Sequence, residues 1–240
     1  MQDNNVALAL NCCPRSEELL GCPEGGAAHW LSNAQKQQIH EIRILVASMH
    51  PFAVSTIPPF IELCGDVRLL RFLEGNGNNP MQAAQAFVEA LAWRAEHGMD
   101  AIRLALHSEW RDDLHSYLES LLPHITLILD HLLLQLNFSF TCPGSDREDE
   151  VVEGGHLVTI EHTGLGDPVA LLEKLSLDDY LIFAKHNMEH KATLLDRLSR
   201  ERGHLVKMVA VRDMAGLGRK HIGQQGVSLM TAVSVVQVKF

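Results

Sequence analysis

The stretch from Asp66 to Arg103, DVRLLRFLEGNGNNPMQAAQAFVEALAWRAEHGMDAIR, constrains the chain more than any other, because it reads locally as helix, tight loop, helix. Asp66 is placed to cap a first helix whose Leu69, Leu70, Phe72 and Leu73 cluster on one side. The run Gly75-Asn76-Gly77-Asn78-Asn79 must end that helix, since glycine and asparagine tolerate positive φ. Asn79-Pro80-Met81-Gln82 restarts it, with a cap oxygen, a proline at the first helical position and a glutamine three residues after the cap. Ala84, Phe87, Val88 and Leu91 follow at helical spacing beside Trp93, and Gly98 stands where a C-terminal cap belongs.

A chain of 240 residues holds one domain or a small lobe plus a main domain. With 46% hydrophobic residues it has the material for a core. The formal charge of −10 and the lack of a dense Lys/Arg run argue against nucleic acid as the main partner, which needs clustered cations. Five cysteines (Cys12, Cys13, Cys22, Cys64 and Cys142) form no CxxC pair and leave one over, so structural disulfides are not expected and a reducing, cytoplasmic setting fits best. The N-terminal apolar run follows an acid instead of a basic segment, unlike a signal peptide. The run Ile125 to Leu136 contains Asp130 and His131 and is too short to cross a bilayer.

Residues 1–31 read as a loose leader. From Ser32, Ile39, Ile42, Val46 and Met49 mark one face of a helix, which Pro58-Pro59 separates from the opening stretch. Helical spacing resumes after Arg103 with Leu114, Tyr117, Leu118 and Leu121. Residues 125–143 form an apolar run suited to a core helix, an insertion or a partner-binding segment, and Asp146 to Glu153 is an acidic linker. The strand Gly155–Glu161 follows. Ser176-Leu177-Asp178-Asp179 then opens a long helix to about Arg202, His204–Asp213 reads as a well-buried second strand, and a last helix runs from about Ile222 to Val238. Strand, helix, strand, helix at this spacing predicts parallel pairing with right-handed crossovers.

Leu69-Leu70-Arg71-Phe72-Leu73, the Ala-rich second helix, Leu91-Ala92-Trp93-Arg94 and Asp100-Ala101-Ile102-Arg103 together resemble the small helical lobe of the CRAL-TRIO lipid-binding family. That family includes phosphatidylinositol-transfer proteins, the tocopherol-transfer protein and the retinaldehyde-binding protein. Gly155-His156-Leu157-Val158-Thr159-Ile160-Glu161 is similar to the family's G-R-P-V-aromatic-x-E strand, with His-Leu for Arg-Pro, and Asp213-Met214-Ala215-Gly216-Leu217 to its D-x-x-G-apolar motif. The resemblance covers about 32–124 and 154–240. It implies an α/β chain: an N-terminal helical lobe (32–124), then an incomplete CRAL-TRIO-like lipid-binding domain (154–240) with a parallel-type sheet, separated by 125–153. It implies no enzymatic activity and no cofactor. Phe240 falls just before the family's next strand and gate helix, so poor lipid retention is expected of a chain ending there.

By the same resemblance, Thr159, Asn187, Met208, Ala210 and Arg212 line a lipid pocket, and Arg219 and Lys220 are placed for headgroup or membrane contact. A core strand explains Met208 and Ala210 equally well. Neither carries the hydroxyl that phosphatidylcholine-binding members use, and Asn76 and Gly77 stand where phosphoinositide-binding members carry two cations. The ligand class is therefore a phospholipid or other hydrophobe, with phosphatidylinositol disfavoured. A transient membrane surface is a second expected partner, and 125–143 offers a segment for a protein. Two further patterns compete. His186-Asn187-Met188-Glu189-His190 fits H-x-x-E-H, which on a helix either binds zinc for hydrolysis or is a polar surface. Gly216-x-Gly218 before Gly223 lacks the spacing of a dinucleotide turn. An interaction module that has lost its ligand is the alternative to a lipid carrier.

Overall fold

The computed structural model describes residues 26–49, 60–108, 118, 120, 122, 156–161 and 163–238. The readings placed on 1–25, on Pro58-Pro59, on most of 109–124 and on 125–155 lie outside them. The described chain is mixed α/β, mostly helical with one small parallel sheet. It divides into two units: Met1–His97 with Ser199–Leu205, and Gly98–Leu198 with Val206–Phe240.

Helices α1 (Asn33–Met49), α2 (Ile61–Cys64), α3 (Asp66–Gly75) and α4 (Pro80–Glu96) build the first unit. Ser32 starts α1 reciprocally: its Oγ accepts from Gln35 N–H at 3.2 Å while Gln35 Oε1 accepts from Ser32 N–H at 3.0 Å. Asn79 caps α4 through Oδ1, which accepts from the Met81 and Gln82 amides. Between α3 and α4 the chain turns through Gly77 (φ 63°) and Asn78 (φ 59°), and after α4 Gly98 takes φ 67°. These starts and stops follow the sequence pattern closely.

The helices close on one core. Ile39, Ile42 and Val46 of α1 meet Val67, Leu69, Leu70 and Leu73 of α3 and Ala83, Ala84 and Phe87 of α4, all buried. Phe72 meets Phe87 edge to face, with centroids 5.2 Å apart, and the Arg68 guanidinium lies 5.0 Å from the Phe72 centroid. Two sequence expectations are corrected. Asp66 does not cap α3, whose N-cap is Gly65 without a side-chain bond. Its carboxylate instead pairs with buried Arg43 at 2.8 Å and accepts the Ala28 amide at 2.9 Å. A buried cation needs this partner more than a helix end needs a cap. The same bond ties down residues 26–31, read as the end of a loose leader, and Ala28 and Leu31 are buried in the core.

The second unit holds α5 (Met99–Ser108), β1 (Leu157–Glu161), a 3-10 turn (Thr163–Leu165), α6 (Pro168–Lys174), most of α7 (Leu177–Arg202), β2 (Met208–Arg212), α8 (Arg219–Ile222) and α9 (Gln224–Val238). Asp167 caps α6 through the Val169 and Ala170 amides, and Ser176 caps α7 by accepting from Asp179 N–H at 3.1 Å. The strands pair in parallel, Leu157 with Met208 through Glu161 with Arg212, as the alternation predicts. Leu157 and Val206 bury themselves against Leu194 and Leu198 of α7. Beyond that contact the second strand is not well buried, contrary to expectation. Met208, Ala210, Val211 and Arg212 are exposed, because among the described residues the two-stranded ribbon has no second covered face.

Candidate functional site

The residues proposed for lipid contact fall on four elements of the second unit. Thr159 of β1 and Ala210 of β2 are register partners, and Met208 and Arg212 flank Ala210 at alternate positions. Met208 is 36% exposed and Val211 48%. Asn187 belongs to α7; it is half-buried, and its Oδ1 is buried with no hydrogen-bond partner among the described residues. Arg219 and Lys220 are exposed on α8, a one-turn helix.

The loop that carries them is held by specific bonds. Asp213 Oδ1 accepts the Ala215 amide at 2.9 Å, and Gly216 takes φ 87°, so the D-x-x-G motif builds a turn that needs a glycine. Gly164 N–H donates to the Asp213 carbonyl at 3.1 Å, and a Cβ at Gly164 would collide with the Ala215 carbonyl. His221 locks the other end. Its Nδ1 accepts from Gly218 N–H at 3.0 Å and its Nε2 donates to the Gly166 carbonyl at 2.8 Å, the tautomer that satisfies both contacts. Lys220 reaches Asp167 at 3.3 Å. The Asp167 carboxyl is held below its usual range, first by the Ala170 amide and further by the Lys220 ammonium, with burial opposing.

The H-x-x-E-H segment reads differently in three dimensions. Glu189 is fully buried and accepts from Arg103 Nε of α5 at 2.7 Å; Arg103 also donates through Nη1 to Thr193, whose hydroxyl donates to the Glu189 carbonyl at 2.8 Å. His190 is buried as well, so the segment is not a polar helix surface. Among the described residues no three His, Cys, Asp or Glu side chains stand close enough to hold a metal. Burial pushes the His186 imidazole below its usual range, with the Glu189 carboxylate opposing.

Sequence reasoning missed the Arg103–Glu189 pair, the His221 clasp and the Asp167–Lys220 contact. The partners of the first are 86 residues apart, and nothing in either neighbourhood announces the other. Asp167-Pro168 alone carried a local signal, a cap residue before a proline. The sequence matches no protein-family model, and no curated protein matches it.

Proposed function

We propose that the chain is a non-enzymatic binder and carrier of a phospholipid or other small hydrophobic molecule. The observation that carries this reading is the parallel ribbon whose Met208 and Ala210, at the positions the family resemblance assigns to a pocket floor, are exposed instead of packed. An acyl chain laid there covers apolar surface at a gain of ~0.8 kcal/mol per buried methylene. The unpartnered Asn187 oxygen is an acceptor for a ligand hydroxyl or amine. Arg219 and Lys220, the latter beside Asp167, supply cations for an anionic headgroup.

The test is mass spectrometry of the organic extract from the folded protein extended beyond Phe240, which should hold one hydrophobe per chain. Ala210→Trp should reduce that occupancy while the first unit's melting is unchanged. In competition from liposomes of equal surface charge, other lipids should displace phosphatidylinositol, since Asn76 and Gly77 offer no cation. Folded protein that stays empty across several lipid mixtures overturns the carrier reading. The same open ribbon then favours the second reading, a protein-interaction module, because exposed strand edges and apolar faces also recruit polypeptides.

A further inference from the structure

Strand β2 has one edge paired with β1 and a second edge that points away from it. Leu157 N–H donates to the Lys207 carbonyl at 2.9 Å, and Leu157 stands in register with Met208. In a parallel pair this turns the backbone groups of Lys207, Val209 and Val211 toward β1. Those of Met208, Ala210 and Arg212 turn the opposite way. Among the described residues, no backbone group outside the sheet bonds those of Met208 or Ala210. The side chains of Lys207, Met208, Ala210, Val211 and Arg212 are all exposed.

An open edge invites another strand, and proteins blunt it with a proline, a bulge or a charge. The middle of β2, Met208-Val209-Ala210-Val211, carries none of these. Its charges stand at the ends: Lys207 just before the strand, Arg212 as its last residue and Asp213 just after. That order is self-complementary. Reversed against a copy of itself about Ala210, the strand sets Lys207 opposite Asp213 and Val209 opposite Val211 on one face. Met208 then stands opposite Arg212 on the other.

We propose that β2 pairs edge to edge with β2 of a second copy, antiparallel about a two-fold axis at Ala210, giving a continuous sheet in the order β1-β2-β2-β1. The backbone agrees with this register. Outward-pointing Ala210 meets its own copy and outward-pointing Met208 meets outward-pointing Arg212, so each of these pairs exchanges both N–H···O bonds. The valines pack across the seam, and a Lys207–Asp213 pair closes it at each end. Sliding by two residues either way sets Val211 opposite Lys207 or Val209 opposite Asp213, which disfavours the neighbouring registers. Any extended peptide meets the backbone groups; the reciprocal charges select a second copy. The two-fold contact is isologous and closes at a dimer. It uses the edge of β2 where the carrier reading uses its face, so neither requires the other. Two five-residue strands bury little surface, and the dimer is therefore one in exchange with monomer.

Sedimentation equilibrium of the full chain tests it. The chain should pass from monomer to dimer as its concentration rises, and added salt should favour the monomer. Ala210→Pro removes the outward N–H at the centre and leaves the bonds to β1 in place, so it should abolish the dimer with an unchanged circular-dichroism spectrum. Lys207→Glu sets like charges opposite each other at both ends and should raise the dimer dissociation constant by about tenfold. Amide exchange followed by nuclear magnetic resonance reads the register. In the dimer the Met208, Ala210 and Arg212 amides should gain protection, while those of Val209 and Val211, already bonded to β1, should not change. A chain that is monomeric at every concentration overturns the proposal. So does a dimer that survives Ala210→Pro, or one whose new protection appears elsewhere, because it forms through another surface. Should Ala210→Pro disturb the fold, the exchange pattern of the natural chain decides alone.

Discussion

The two units solve the burial problem differently. In the first, three long segments of helix surround a common interior, and Leu69, Leu70 and Leu73 are almost wholly removed from water. In the second, a two-stranded parallel ribbon rests on α7 through Leu157 and Val206 and leaves Met208 and Val211 in the open. Composition does not cause the contrast, since β2 is more apolar than α3. Geometry causes it. A helix needs one covered stripe, which two neighbours supply, whereas a parallel ribbon has two faces and two edges to cover. Apolar surface in the first unit stabilises the fold; in the second it is available to something else.

The largest expected effect tests whether polar burial follows the same division. Asp66→Ala leaves the Arg43 guanidinium, almost fully buried, without its carboxylate and should cost about 3–5 kcal/mol. Glu189→Ala leaves Arg103 in the same position in the second unit and should cost about as much. Thermal melts of both variants check this. A loss below ~1 kcal/mol for Glu189→Ala, the range of exposed pairs, would mean that water reaches Arg103 and that the second unit is open to its centre.

Next in size is Gly164→Ala. The added methyl meets the Ala215 carbonyl on a chain segment held by the Asp213 turn, so the backbone must shift. A cost of about 1–3 kcal/mol is expected from overpacking. Chemical denaturation gives the number, and a neutral result would show that the 213–218 turn yields freely.

What was legible in the sequence divides along a physical line. The caps at Asn79 and Ser176, the turn at Gly77 and Asn78 and the stop at Gly98 were legible because each depends on neighbours within four residues. The parallel pairing was legible from the order of strands and helices. Asp66 was misread because its local role, capping, lost to a distant cation at residue 43. The H-x-x-E-H pattern was misread as a polar helix surface because Glu189 is buried against Arg103, far away in the chain. The exposure of β2 was missed because apolar alternation reports which residues favour burial and not whether a neighbour is there to bury them. For the candidate site, the glycines and Asp213 carried a usable local signal, while His221 and its Gly166 partner carried none.

A smaller effect concerns pH. Burial disfavours the charged form of His186, so its folded pKa lies below the ordinary 6.5 and the unfolded chain binds the proton first. The stability it contributes is therefore complete above that ordinary value and is lost as pH falls through the lower folded one. Melting temperature should decline across that window in the natural chain and decline less in His186→Gln. Two identical profiles would show that His186 is solvated in both states, and would extend the open character of the second unit to α7.

The smallest effect is the one that bears most directly on the comparison. Val211→Ser and Met208→Ser change side chains that are already 48% and 36% exposed. In the closed unit, truncating a buried leucine such as Leu70 to alanine should cost about 2–5 kcal/mol, because a cavity adds to the lost transfer energy. On the ribbon no cavity forms, and each serine should alter stability by less than ~0.5 kcal/mol, the usual range for surface positions. Denaturant melts of the three variants side by side measure the difference. If Met208→Ser costs as much as Leu70→Ala, the ribbon face is packed in solution, and the floor proposed for a hydrophobic ligand is ordinary core. If both serines are neutral for folding yet lower the bound hydrophobe, the exposed strand serves binding and not stability.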